Sequence, residues 1–263
     1  MPVLQERKNK VLVLTMSRPD QRNCWGSDYP EEIAAILAEA EDDDGIGCVI
    51  LTGDEAGKAF CAGANLKDPR AHSASAMDEF VKSLPKKMRD SFPNLLSDFP
   101  KPIVAAINGY AVGAGCIMAC SCDIAIATER TEWRMPQVNL GIMPQHGATV
   151  RLARWIGKGN AMKLALGFPV KAEEGYRMGL AQWLVPHEQL MEQAFAIANS
   201  IADLPPLAVR LVKESMTKGA DTANLMDTIL VDLYRANTLR QTEDSKESHV
   251  AWREGRKPEF KGR

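Results

Sequence analysis

The spacing of apolar residues divides this chain into two unlike parts. Residues 11–16 form an apolar run of strand length, residues 31–41 carry apolar side chains at helical spacing, and residues 48–52 form a second strand-length run that ends in the Gly53-Asp54-Glu55 turn. Residues 103–107 and 124–127 predict two further strands, with a short apolar helix over 115–120 between them. Repeated alternation of strand and helix predicts a mostly parallel α/β sheet. From Gly147 onward the pattern predicts helices alone, near 147–156, 158–166, 171–178, 188–203, 207–218 and 221–238, so the sheet is expected to be complete by then. Leu204-Pro205-Pro206 marks a break in this part, because a proline disfavours helical geometry in the residue before it. With 263 residues and no internal repeat or linker-like tract, the expectation is an α/β core over residues 1–200 followed by a helical region over 201–263.

Two short turns rich in Gly and Ala, residues 61–65 (Cys-Ala-Gly-Ala-Asn) and 113–116 (Gly-Ala-Gly-Cys), sit where a strand pattern gives way to a helix pattern. Small side chains let a ligand approach the main chain, and a helix N-terminus leaves N–H groups unpaired with a partial positive charge. Two such turns together suit an oxyanion hole, in which two fixed N–H donors hold one oxygen as it gains charge.

Composition narrows the class without naming a reaction. Apolar residues make up 45% and charged residues 25% of the chain, which excludes a disordered reading. A formal net charge of −2 gives no electrostatic reason to expect nucleic acid or a membrane as partner. Glu6, Arg7, Lys8 and Lys10 interrupt any signal-peptide-like run, and no apolar segment approaches the ~18 residues that span a bilayer, so a cytoplasmic location is expected. The six cysteines lie largely in apolar runs and show no disulfide framework. Cys116, Cys120 and Cys122 lie close together, but no His or second Cys pair completes a zinc set, and no metal is expected.

The segments Lys58-Ala-Phe-Cys-Ala-Gly-Ala-Asn-Leu-Lys67 and Lys101-Pro-Ile-Val-Ala-Ala-Ile-Asn-Gly-Tyr-Ala-Val-Gly-Ala-Gly-Cys116 are followed in order by Cys122-Asp-Ile-Ala-Ile-Ala127, Leu140-Gly-Ile-Met-Pro144, residues 171–180 and Lys257-Pro-Glu-Phe-Lys261. Taken together they closely resemble the crotonase (enoyl-CoA hydratase/isomerase) superfamily. The resemblance implies a crotonase-like spiral of βαβ units with a C-terminal helical region that packs on the core or on a neighbour, in a homotrimer or homohexamer. It implies an acyl-CoA thioester as substrate, coenzyme A entering as part of that substrate, and no permanently bound cofactor. The oxyanion donors it implies are the backbone N–H groups of Ala64 and Ala114. The coenzyme A path it implies runs along residues 18–25, including Arg22 and Cys24, and past Ala62, Asn65, Leu66 and Lys67. Phe260 and Lys261 match a C-terminal position that can reach a neighbour's nucleotide.

The chain departs from the hydratase pattern at the residues that move protons. Hydration needs one group to activate water and another to protonate the α-carbon, work suited to two carboxylates. The positions where hydratases carry them hold Ile117 and Gln137 here, and the family's usual Gly and Asp are replaced by Ala114 and Asn65. The loop Pro144-Gln-His-Gly147 offers Gln145 and His146 at a place where some branches carry an acid. His146 reads either as a proton-transfer group or as a surface residue, and Gln137 as a polar floor of the acyl pocket or a routine hydrogen-bonded residue. Asp68 and His72 read as lid or solvated loop residues, and Trp25 and Trp133 as acyl-pocket walls or core. The expectation is an acyl-CoA enzyme, a lyase or related isomerase or hydrolase, that stabilises an enolate or oxyanion with weak or absent hydration. Decarboxylation, C–C cleavage, thioester hydrolysis and acyl-CoA binding without turnover stay open beside it.

Overall fold

The computed structural model describes residues 2–26, 28–67, 92–219, 222 and 224–263; Asp68 and His72 lie outside the described residues. Strands β1 (Val3–Lys8) and β2 (Val11–Met16) form a hairpin whose turn includes Asn9 at a left-handed φ of 55°. The chain continues through α1 (Tyr29–Asp42), β3 (Cys48–Gly53), β4 (Ala59–Cys61), α2 (Phe92–Asp98), β5 (Ile103–Ile107), β6 (Tyr110–Val112), α3 (Ala114–Ala119), β7 (Ile124–Thr128) and β8 (Glu132–Arg134). It ends with α4 (Ala148–Ile156), α5 (Lys158–Ala165), β9 (Val170–Lys171), α6 (Ala172–Met178), β10 (Trp183–Val185), α7 (Leu190–Ala202), α8 (Pro206–Gly219), α9 (Leu225–Leu239) and α10 (Glu243–Glu254).

A six-stranded sheet runs β1-β2-β3-β5-β7-β10, parallel except for the β1 edge. A second sheet runs β4-β6-β8-β9, with β4, β6 and β8 parallel. β3, β5 and β7 of the large sheet lead, through turns of two to five residues, straight into β4, β6 and β8 of the small one. Each unit of the spiral thus holds one more short strand than the apolar pattern predicts. The expectation that the sheet ends before Gly147 is corrected by β10, which pairs with the far edge of β7, and by β9. Two and three residues are too few to register as a period.

Alternation within the continuous apolar runs explains why both faces of the large sheet are buried. Leu12, Leu14, Met16, Val49 and Leu51 point into a core shared with Ile33 and Leu37 of α1 and with Met118 of α3. Val11, Val13, Ile50, Val104 and Ile126 point the other way, against Leu190, Ala194, Ala198 and Ala202 of α7. The alanines recur every fourth residue, so one smooth stripe of α7 lies close on the sheet. A Cβ on Gly47 would sit 2.8 Å from Ala202 Cα.

After α7 the axis bends by 107° into α8, and a single buried cation docks α8 on the core. Lys213 is 8% exposed, and its Nζ donates to Asp123 Oδ2 at 2.7 Å, to Lys101 O at 3.1 Å and to Leu96 O at 3.3 Å. Asp123 also accepts from Ile103 N at 2.7 Å, so both charges are compensated. Loss of hydration pushes the Asp123 carboxyl pKa up, while Lys213 pulls it down. Among the described residues no single helix is long and apolar enough to cross a membrane. Lys213→Met leaves the Asp123 carboxylate buried beside two unpaired carbonyl groups, and it is expected to cost about 3–5 kcal/mol in urea denaturation. A loss below about 1 kcal/mol contradicts this account of how α8 is held.

Candidate active site

Three chain segments converge beyond the C-terminal ends of the large sheet's strands: the loop after β2, the turn after β4 and the turn after β6. The loop after β2 lies alongside the turn after β4. Ala62 N donates to Arg22 O at 3.1 Å, Trp25 N to Gly63 O at 2.7 Å and Asn65 N to Trp25 O at 2.8 Å. The last two bonds make a one-residue parallel bridge between Trp25 and Ala64. In such a bridge the flanking peptide groups face the partner strand, so the N–H of Ala64 itself points the opposite way. It has no acceptor among the described residues.

The turn after β6 supplies the other donor. Gly113 lies at φ 52°, ψ −108°, a region closed to residues with a Cβ, and its N–H is taken by Arg134 O at 2.8 Å. This sharp turn makes Ala114 the first residue of α3. The first bond of that helix is Ile117 N to Gly113 O at 3.1 Å, which leaves Ala114 N–H unpaired among the described residues. Ala114 is absent from the residues with positive φ, so its methyl group causes no backbone strain.

The two turns touch backbone to backbone, and glycine makes this possible. A Cβ on Gly115 would lie 2.2 Å from Cys61 O, and one on Gly63 would lie 3.0 Å from Val112 O. The Cβ direction of Gly113 ends 3.9 Å from Gly63 Cα and 3.5 Å from Gln137 Nε2. Gln137, in the helical turn Pro136–Leu140, therefore flanks the paired turns, and its Oε1 is buried without a hydrogen-bond partner. Ile117 faces the apolar core at 6% exposure and cannot exchange a proton.

The remaining candidates fall into groups. Asn65 is half-buried, accepting from Lys67 N at 3.0 Å and reaching Gln21 Oε1 at 3.4 Å, while Arg22, Leu66 and Lys67 are exposed beside it and Ala62 is half-buried. The Cys24 thiol donates to Gln21 Oε1 at 3.2 Å, and burial raises its pKa. Gln145 and His146 are exposed in the turn before α4, His146 at φ 56°, and no hydrogen bond ties either side chain to the glycine turns among the described residues. Trp133 is core: it is fully buried against Gly175, where a Cβ would meet its ring at 2.2 Å. Trp25 is half-buried, its ring centroid 5.6 Å from that of Tyr29.

Phe260 and Lys261 are not brought to the turns within one chain. The buried Asp244 carboxylate accepts from Lys261 N at 2.7 Å and Gly262 N at 2.8 Å, which fixes the tail beside a cavity of about 420 Å³. Lys10, Gly47 and Pro102 line that cavity, so it lies at the N-terminal ends of β2, β3 and β5, opposite the turns. All six cysteines are free, and no group of three or more metal-ligating side chains occurs among the described residues. Asn23, which the sequence places only within the run 18–25 and gives no role of its own, is fully buried within the loop after β2.

The family model described as enoyl-CoA hydratase/isomerase matches residues 6–263 of the chain. A short-chain-enoyl-CoA hydratase of Clostridium acetobutylicum is 37% identical, over 99% of this chain and 98% of its own. A 2,3-dehydroadipyl-CoA hydratase of Escherichia coli is 34% identical, over 99% of both chains. The solved structure of an enoyl-CoA hydratase from Bacillus anthracis superposes with a TM-score of 0.91 at 32% identity, covering 100% of both chains.

Although His146 is exposed, the protein on one side of its imidazole removes part of the ring's hydration and holds its pKa below the ordinary 6.5. The folded protein then binds this proton less readily than the unfolded chain. Its contribution to stability is full above pH 6.5 and is lost as the pH falls from there through the lower pKa of the folded state. A proton NMR titration of the His146 ring is expected to show a midpoint below 6.5, absent in His146→Ala; a midpoint at or above 6.5 contradicts this environment.

Proposed function

The chain belongs to the enoyl-CoA hydratase/isomerase family, and on that premise we propose that it binds an acyl-CoA thioester with the carbonyl oxygen between the N–H groups of Ala64 and Ala114. The observation that carries this reading is the contact of the two turns, each of which has an alanine N–H without an acceptor among the described residues. A thioester oxygen gains negative charge when the α-carbon becomes enolate-like or the carbonyl carbon is attacked. Donors fixed by glycine packing need no reorganisation at that moment, and each is worth roughly 2.7–4 kcal/mol in comparable sites. Arg22, Cys24, Ala62, Asn65, Leu66 and Lys67 line the path proposed for the coenzyme A portion, with two exposed cations available to its phosphates.

Ile117 and Gln137 decide which chemistry follows. Neither side chain exchanges a proton near neutral pH, so water addition lacks the general acid–base assistance typically worth ~10²–10⁴ in rate. The site as built favours a reaction that generates the enolate without a protein base. Loss of carbon dioxide from a malonyl-type thioester is one such reaction. Thioester hydrolysis or C–C cleavage needs activated water, for which His146 is the candidate the sequence offers, though among the described residues no hydrogen bond joins it to the turns.

The same reading includes a homotrimer or homohexamer. No residue of α9 is buried, and Leu225, Met226, Leu230, Leu233 and Tyr234 are each at least half exposed. Exposed apolar side chains gathered on one helix suit burial against a second copy of the chain. Six free cysteines are in keeping with a reducing compartment such as the cytoplasm.

The test is product analysis by mass with crotonyl-CoA, a longer enoyl-CoA and a malonyl-type thioester. The expected result is slow or absent hydration, raised about 10²-fold or more by Ile117→Glu with Gln137→Glu. Ala114→Pro deletes one donor at the first helical position, where proline is tolerated, and is expected to lower turnover roughly 10²–10³-fold. Fast wild-type hydration, or turnover indifferent to Ala114→Pro, overturns the reading.

A further inference from the structure

Asn23 is an amide with no exposed surface, yet every polar function of its side chain is used. Nδ2 donates to Ala59 O at 2.7 Å and to Asp54 O at 2.9 Å, and Oδ1 accepts from Arg18 N at 3.0 Å. These acceptors and donors belong to three separate stretches: the start of the loop after β2, the turn after β3 and the first residue of β4. The backbone at this point is unusual as well. Arg22 and Asn23 are consecutive left-handed residues, at φ 52° and 53°, and asparagine is among the few residues that visit this region readily.

That pair of left-handed residues turns the chain so that Arg22 O meets Ala62 N and Trp25 lies beside Ala64. The side chain of the same Asn23 bonds the carbonyl of Ala59, at the start of the strand that leads into the turn. Loop and strand are therefore held to one another at both ends of β4. The direction of the Ala64 N–H follows from the Trp25 bridge, and the bridge follows from the register that Asn23 imposes. We propose that Asn23 is a positioning residue for the Ala64 donor: it aims an N–H that it does not touch. This rests on the reading of Ala64 and Ala114 as the pair that holds the thioester oxygen.

Gly57 offers an independent handle on the same amide. A Cβ there would lie 2.6 Å from Asn23 Nδ2 and 2.8 Å from its Cγ, so Gly57→Ala pushes the amide aside. No positive φ accompanies Gly57, and the strain falls on the contact alone. Asn23→Gly removes the side-chain bonds while keeping a residue that accepts φ near 53°. In the double variant the added methyl group enters the vacated space, so the two changes are expected to be non-additive.

The experiment is isotope-edited infrared spectroscopy of [1-¹³C]butyryl-CoA, a saturated thioester that cannot be hydrated, with the ligand fully bound. Two donors on the carbonyl lower its stretching frequency relative to the free ligand. Asn23→Gly and Gly57→Ala are each expected to lose about half of that shift or more, and the double variant to match Asn23→Gly. Ile126→Val, which removes a buried methylene on the far face of the sheet, is expected to lower the melting temperature and leave the shift intact. No shift in the wild type sinks the reading of the two donors themselves. A wild-type shift that both variants retain overturns the role of Asn23 while sparing that reading. Failure of both variants to fold also overturns it, because Asn23 would then be a folding requirement with no separable effect on the donor.

Discussion

The site depends on how closely two stretches of main chain can approach. Cys61 O lies where a Cβ of Gly115 would be, and Gly63 and Gly113 face one another across the same contact. A side chain at Gly115 would drive the two stretches apart, one at Gly63 would press on Val112 O, and one at Gly113 is barred by its backbone conformation. Once they are in contact, the strand bridge on one side and the helix start on the other place Ala64 N–H and Ala114 N–H among the main-chain donors that have no acceptor among the described residues. The large sheet, the short strands and the buried α3 can be understood as the scaffold that makes this contact rigid. β3 and β5 end level with one another, and each feeds a strand of the small sheet that carries one turn.

In the proposed reaction, holding charge on oxygen and moving protons are separate tasks, and on that reading the chain is equipped unequally for them. The first requires only backbone, and Ala at 114 preserves it because its φ is ordinary. The second requires side chains, and here an aliphatic group and an amide stand beside the turns. Beside the main-chain donors, the Oε1 of Gln137 is a buried side-chain acceptor at the site with no partner among the described residues. A buried acceptor in that state costs free energy until a donor arrives, which makes it the natural point of contact for a hydroxyl or a water beside the thioester.

The strands β2, β3, β5 and β7 were legible because sheets covered on both faces write continuous apolar runs. The three-residue strands β4, β6 and β8 were not, since β6 is partly exposed and none is long enough to show a period. Helix α10 falls inside the helical region expected over 201–263 but carries no apolar period of its own: it is rich in charge, and only Asp244 and Ala251 of its residues are buried. The turns themselves were conspicuous, because runs of Gly and Ala at the end of an apolar strand have few other uses. Asn23 was invisible as anything but a loop residue. Its carbonyl partners lie 31 and 36 residues further along, and only the folded register brings them to it.

The most direct test of the central claim is a crystal structure of the protein with a saturated acyl-CoA bound. The account predicts the thioester carbonyl oxygen at about 2.7–3.1 Å from both Ala64 N and Ala114 N, with the acyl α-carbon on the side of Gln137. A thioester whose carbonyl oxygen bonds elsewhere, leaving either N–H free, would contradict it.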